Sequence, residues 1–88
     1  MYFVYILRCA DGTLYTGITT DVARRVQEHN SSDKGAKYTR GRRPVVLVYS
    51  QPFTTRGVAL REEARIKALS KRSKEVLVRA YLLMSPKA

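Results

Sequence analysis

Tyr2-Phe3-Val4-Tyr5-Ile6-Leu7-Arg8-Cys9-Ala10-Asp11-Gly12-Thr13-Leu14-Tyr15-Thr16-Gly17 is an aromatic and β-branched run, an Asp-Gly turn signal and a second short run of the same kind. That pattern spells a β-hairpin. Side chains change sides at every strand residue, so the loop length decides which of them share a face. A two-residue loop at Asp11-Gly12 would put Tyr5 and Tyr15 on opposite faces. A three-residue loop, Ala10-Asp11-Gly12, sets Cys9 opposite Thr13, Leu7 opposite Tyr15 and Tyr5 opposite Gly17, and the two tyrosines then share a face. Asp-Gly suits the longer loop, a type I turn closed by a left-handed Gly12 in a bulge. We adopt the three-residue loop.

Downstream, Thr19-Thr20-Asp21 offers N-cap oxygens to a helix running to about Asn30. Val22, Val26 and His29 mark one face, and Arg25 falls on the same stripe, whereas Arg24, Gln27 and Glu28 point elsewhere. An arginine facing the sheet needs an anion, unless its stem snorkels to solvent. Residues 31 to 44 read as a loop ending at Pro44. In it Lys34, Lys37, Arg40, Arg42 and Arg43 surround Tyr38 with only Asp33 against them. This is the mix of phosphate-neutralising cations and a stacking aromatic found on nucleic-acid surfaces; the alternative is a solvated connection whose tyrosine packs on the core.

Val45 to Tyr49 is continuously apolar and, with Tyr2 to Leu7, suggests strands buried on both faces, the third closed by Pro52. Thr54-Thr55 begins a helix through Leu69 with Ala59, Ile66 and Leu69 buried. Ser70 caps a last helix with Val76, Leu77, Ala80, Leu83 and Met84 as its apolar side, and Ser85-Pro86 stops it. The expected fold is α/β of the α+β kind: a three-stranded, mainly antiparallel sheet flanked by about three helices, in order β-β-α-β-α-α, with residues 1–88 as one domain.

Eighty-eight residues, 44% of them hydrophobic, can hold one modest core without waiting for a partner. One cysteine, Cys9, and one histidine exclude an internal disulfide and a structural zinc within a single chain. The sequence has no basic leader followed by a long apolar run and no stretch of transmembrane length, so a reducing, cytoplasmic protein is expected. Seventeen basic residues against seven acidic give a formal charge of +10, a field that attracts a polyanion. Nucleic acid is the favoured partner, ahead of ribosomes or anionic lipid.

Val4-Tyr5-Ile6 and Tyr15-Thr16-Gly17 stand about ten residues apart. After them come Arg24-Arg25-Val26-Gln27-Glu28-His29-Asn30, Gly35-Ala36-Lys37-Tyr38-Thr39, Ala59-Leu60-Arg61-Glu62-Glu63 and Ile66-Lys67. In this order and spacing the chain resembles the GIY-YIG endonuclease superfamily, in its small stand-alone YhbQ-like branch, from residue 2 to about 80. The resemblance implies a divalent-metal-dependent endonuclease that hydrolyses phosphodiester bonds, with DNA favoured over RNA. The alternative is a catalytically weak nucleic-acid-binding module acting with a partner protein.

Phosphodiester cleavage needs a deprotonated water near the phosphorus, a cation where negative charge grows and help for the departing oxygen. By resemblance Tyr15 is the general-base or water-positioning tyrosine, Tyr5 its companion, Arg25 the clamp on the scissile phosphate, and His29 a second proton-handling or phosphate-binding group. A tyrosine with an ordinary pKa of about 10 is a poor base at neutral pH and must be activated by a cation or a metal-bound water. The implied metal is magnesium or manganese, which takes only one or two protein carboxylates. Glu62 and Glu63 both flank the Ala59 to Ile66 stripe, so periodicity does not choose between them; the family's spacing points to Glu63, with Glu62 in reserve. Ile18 stands where repair-type relatives carry a lysine, which throws more of the activation of Tyr15 onto His29 or the metal. Arg25 and Glu63 should both reach the sheet face of Tyr15, either as an ion pair or apart with room for a metal and a phosphate.

Overall fold

A computed structural model describes residues 1–31 and 33–84. Its elements are β1 (Tyr2–Arg8), β2 (Leu14–Thr19), α1 (Val22–Ser31), α2 (Lys37–Arg40), β3 (Val46–Phe53), α3 (Arg56–Lys67) and α4 (Lys71–Met84). The three strands form one antiparallel sheet in the order β2-β1-β3. The hairpin has the register of the three-residue loop, Leu7 opposite Tyr15 and Tyr5 opposite Gly17. Asp11 Oδ1 accepts the Thr13 N–H at 3.1 Å and its hydroxyl at 2.6 Å, the Gly12 N–H returns to the Cys9 carbonyl at 2.9 Å, and Gly12 has φ +85°. Only glycine adopts that conformation without strain.

As the central strand, β1 is buried on both faces. Val4 and Ile6 pack with Val48, Tyr49, Ala59, Ile66 and Val78, so α3 and α4 cover that side. Tyr5 and Leu7 pack with Cys9 and Val45, and the partly buried Tyr15, Val26 and Leu47 close over them, so α1 covers the other. The helices start on the expected caps. Asp21 Oδ1 receives the Arg24 N–H at 3.1 Å, Thr55 Oγ1 the Val58 N–H at 3.3 Å and Ser70 Oγ the Ser73 N–H at 3.1 Å.

Three expectations are corrected. Pro52 does not close β3 but lies within it, opposite Phe3, which the sheet tolerates because β3 is an edge strand. A register shift between Ile6 and Leu7 leaves Val48 as an extra residue, so Val48 and Tyr49, consecutive in sequence, both join one core. Residues 31 to 44 are not loop throughout, since Lys37–Arg40 winds into the short α2 and buries Thr39. On α4 the inward residues are Leu77, Val78 and Tyr81, while Val76, Leu83 and Met84 are 62%, 79% and 85% exposed. Contacts to the sheet set this rotation: Glu75 takes a bidentate pair from Arg8 at 2.6 and 2.8 Å, and Tyr81 packs on Tyr49 with ring centroids 5.3 Å apart. The expected stop at Ser85-Pro86 lies outside the described residues. Among those residues no helix is long and apolar enough to cross a membrane.

Candidate active site

Tyr5 reaches across β2 because the residue opposite it is Gly17. A Cβ there would stand 2.6 Å from Tyr5 Cζ and closer still to the hydroxyl. Passing over the glycine, Tyr5 Oη meets His29 Nε2, from the last turn of α1, at 2.8 Å. Tyr5 is 1% and His29 0% exposed, so the histidine that shares a helix face with Val22 and Val26 is a core residue. Its other nitrogen, Nδ1, lies 2.9 Å from Thr39 Oγ1 and receives the Ala36 N–H at 3.3 Å.

Tyr15 closes over this pair. Its ring centroid is 6.5 Å from that of Tyr5 and 5.2 Å from that of His29, and it stacks on Tyr38 at 5.8 Å and 28°. The two signature tyrosines therefore share one face, as the hairpin register requires. Tyr38 in turn carries the Arg42 guanidinium 4.0 Å from its ring centre. Arg42 also pairs with Asp11 at 2.9 Å and donates to the Tyr38 carbonyl at 2.8 Å, which fastens the basic segment to the hairpin turn.

Arg25 lies on the inward stripe of α1. It donates to the Lys34 carbonyl at 2.6 Å and to Glu28 Oε1 at 3.1 Å, and its positive charge bears on the phenol of Tyr5. Glu28 thus sits beside Arg25 instead of pointing elsewhere. The adjacent glutamates of α3 part company: Glu62 pairs with Arg65 at 2.6 Å and its charge bears on Tyr49, in the opposite core, whereas Glu63 pairs with Lys67 at 3.3 Å and its charge bears on Tyr5. Among the described residues no ion pair joins Arg25 to Glu63.

The field at the centre keeps both partners neutral at pH 7. Burial pushes the Tyr5 phenol up to about 12 against the pull of Arg25, with Tyr15 and Glu63 adding to the rise. Burial also lowers His29 to about 4, and the positive charges of Arg25 and Arg43 act in the same direction against Glu28. Around this centre lie the remaining basic residues. Lys34, Lys37 and Arg40 are exposed, Arg40 donating to the Asp33 carbonyl at 2.9 Å, while Arg43 donates to the His29 carbonyl at 2.5 Å.

No group of three or more His, Cys, Asp or Glu side chains among the described residues could hold a metal ion. A single carboxylate, Glu63, fits a hard divalent cation that completes its shell with water and phosphate oxygens, and it does not fit zinc. Thr39, the Ala36 N–H, Glu28 and Lys67 each engage a candidate site residue, although the sequence alone assigns them no role. For Thr39 and Ala36 the signal was the stretch Gly35 to Thr39, which had carried the resemblance without a role assigned to it.

The model of the GIY-YIG catalytic domain matches residues 1–76. Over 79 residues the chain is 61% identical to a UPF0213 protein of Desulfotalea psychrophila, covering 90% of this chain and 72% of that one. Over 77 residues it is 56% identical to the UPF0213 protein YhbQ of Escherichia coli, covering 88% and 76%. The solution NMR structure of a UPF0213 protein from Bacillus halodurans superposes with a TM-score of 0.59 at 53% identity, over 91% of this chain and 85% of that one. A second NMR structure, of a protein from E. faecalis, gives 0.63 at 40% identity over 99% and 92%.

Proposed function

The chain belongs to the GIY-YIG family, a superfamily of nucleases, and on that premise we propose that it is a divalent-metal-dependent endonuclease acting on nucleic acid, DNA in preference to RNA. One observation carries the proposal: Tyr15, His29 and Arg25, and the charge of Glu63, all bear on the phenol of Tyr5, although they come from three separate elements. A sheet tyrosine alone is a packing residue; this convergence has no need in a core.

Arg25 binds the scissile phosphate and stabilises the charge that grows on it. Tyr15, less buried than Tyr5, orients the attacking water and takes its proton. Ile18 packs into the opposite core, so the cation beside the tyrosines is Arg25, from α1. Glu63 would hold magnesium or manganese. When bound, such an ion neutralises phosphate charge and acidifies a water. The exposed Lys34, Lys37 and Arg40, with Tyr38, Arg42 and Arg43 behind them, track the backbone of the nucleic acid.

A second reading has its own observation, since both charged groups of the site are already paired, Arg25 with Glu28 and Glu63 with Lys67. Such self-neutralised groups suit a binding module that acts with a partner protein. Labelled single-stranded, duplex, flapped and four-way DNA incubated with magnesium or manganese separates the two. The nuclease nicks at least one of them, Glu63→Gln and Arg25→Ala lose cleavage, and Glu63→Gln keeps its fold and DNA affinity. A parent protein that cuts none of them with either ion, or variants that cut as well as the parent, would leave the binding module.

A further inference from the structure

We infer that Thr39, together with the Ala36 N–H, is a positioning residue that fixes His29 as the hydrogen-bond donor to Tyr5, so that Tyr5 keeps its own proton to donate to a phosphate oxygen. The part played in cleavage rests on the nuclease proposal; the polarity of the hydrogen bonds does not.

A neutral imidazole has one N–H and one acceptor nitrogen, and its neighbours decide which is which. The Ala36 N–H has a fixed direction and can only donate, and it aims at Nδ1 from 3.3 Å. Nδ1 is then the acceptor. The Thr39 hydroxyl lies 2.9 Å from both Nδ1 and the Ala36 carbonyl and can turn to either. With Nδ1 unprotonated, a hydroxyl turned to the carbonyl would set its oxygen lone pair against that of Nδ1, so the hydroxyl donates to Nδ1 and the carbonyl keeps the Thr39 N–H at 3.1 Å. In this arrangement every group has a partner. The opposite tautomer would set the Nδ1 proton against the Ala36 N–H.

The consequence passes along the ring. Nε2 carries the proton and gives it to Tyr5 Oη at 2.8 Å, and the positive charge of Arg25 bears on the same phenol. With His29 donating to it, Oη has its own hydrogen left for an acceptor that enters beside Arg25, and an anionic phosphate oxygen is the group that Arg25 attracts. Tyr5 is therefore a donor, and the work of a base is left to Tyr15. This also explains why a four-residue helix should bury a threonine completely.

His29 is the only histidine in the chain, so its ring nitrogens give unambiguous signals in a long-range 15N–1H correlation spectrum of the labelled protein. The expected spectrum at neutral pH has a pyridine-type Nδ1 and a pyrrole-type Nε2. The reverse assignment, or two equivalent protonated nitrogens, would overturn the inference without any variant being made. Thr39→Val should mix the tautomers and slow nicking by about tenfold to a hundredfold, the range typical for losing a hydrogen bond that orients a functional imidazole, and Thr39→Ser should restore both. A folded Thr39→Val with an unaltered tautomer would remove Thr39 from this role. A protein with the expected tautomer that cuts no substrate would sink the nuclease proposal and leave the hydrogen-bond polarity standing.

Discussion

The backbone of Gly17 lies against the phenol of Tyr5, so close that a methyl group on Gly17 would stand 2.6 Å from the ring carbon bearing the hydroxyl. Glycine is required there by the tyrosine opposite it and not by a turn. Gly17→Ala should therefore displace Tyr5 from His29, cost about 1–3 kcal/mol in overpacking and lower the melting temperature by several degrees. A cross-strand contact is the cause, so Gly57→Ala, where nothing lies within 4 Å, is the control. Placed in the first turns of α3, that change should be neutral or stabilise by up to about 1 kcal/mol. Equal melting temperatures for Gly17→Ala and the parent would show that Tyr5 is not held as described.

His29, held neutral at about 4, makes folding stability depend on acid. The unfolded chain takes up a proton near pH 6.5 and the folded one does not, so stability is full above 6.5 and declines as the pH falls towards 4. The limiting slope for one proton is about 1.4 kcal/mol per pH unit. Between pH 6.5 and 5 no other side chain titrates at its ordinary value, and the chain has no second histidine. Urea unfolding at pH 7.5, 6.0 and 5.0 should show this decline, and a folded His29→Gln variant should be flat over the same range. A parent protein with constant stability down to pH 5 would mean that the imidazole is not buried.

The hairpin was legible because turn chemistry and the two-residue period leave few choices once Asp11-Gly12 is placed, and Tyr5 and Tyr15 came to one face with it. The choice between Glu62 and Glu63 was not legible. Both flank the buried stripe of α3, and only the position of that helix against the sheet turns Glu63 to Tyr5 and Glu62 to Tyr49. On α4 the stripe Val76, Ala80, Leu83, Met84 is as apolar as the true inner face, and the deciding contacts come from Arg8 and Tyr49, far away in sequence. The four residues of α2 are too few to show a period. The task of Thr39 depends on an imidazole ten residues earlier, which no local pattern reveals.

The cations of the basic segment differ in how far they are buried. Arg42 is tied to Asp11 and Tyr38, and Arg43 to the His29 carbonyl, so replacing either would confound binding with stability. Lys34, Lys37 and Arg40 are exposed. Neutralising these three together should weaken DNA binding at low salt and reduce the slope of log affinity against log salt by up to about 0.9 per lost contact on a duplex, or about 0.7 on a single strand. Fluorescence anisotropy across a salt series measures it. An unchanged slope would move the interface to another face.

Lys67 stands on the Glu63 carboxylate at 3.3 Å, one helical turn further along α3, where the proposed divalent cation would bind. The two positive charges compete for one carboxylate, and the ammonium must leave before the ion can be held. Lys67 is more than half exposed, so its pair with Glu63 is worth only about 0.2–1 kcal/mol, which amounts to a modest obstacle to metal binding. Lys67→Ala should accordingly lower the magnesium or manganese concentration giving half-maximal nicking by about two- to fivefold, without changing the rate at saturating metal. Glu63→Gln should be inactive at every concentration, because the carboxylate itself is gone. Isothermal titration of manganese into the parent and Lys67→Ala proteins tests the same competition without relying on cleavage. An unaltered affinity in Lys67→Ala would mean that the ion is held elsewhere than on Glu63.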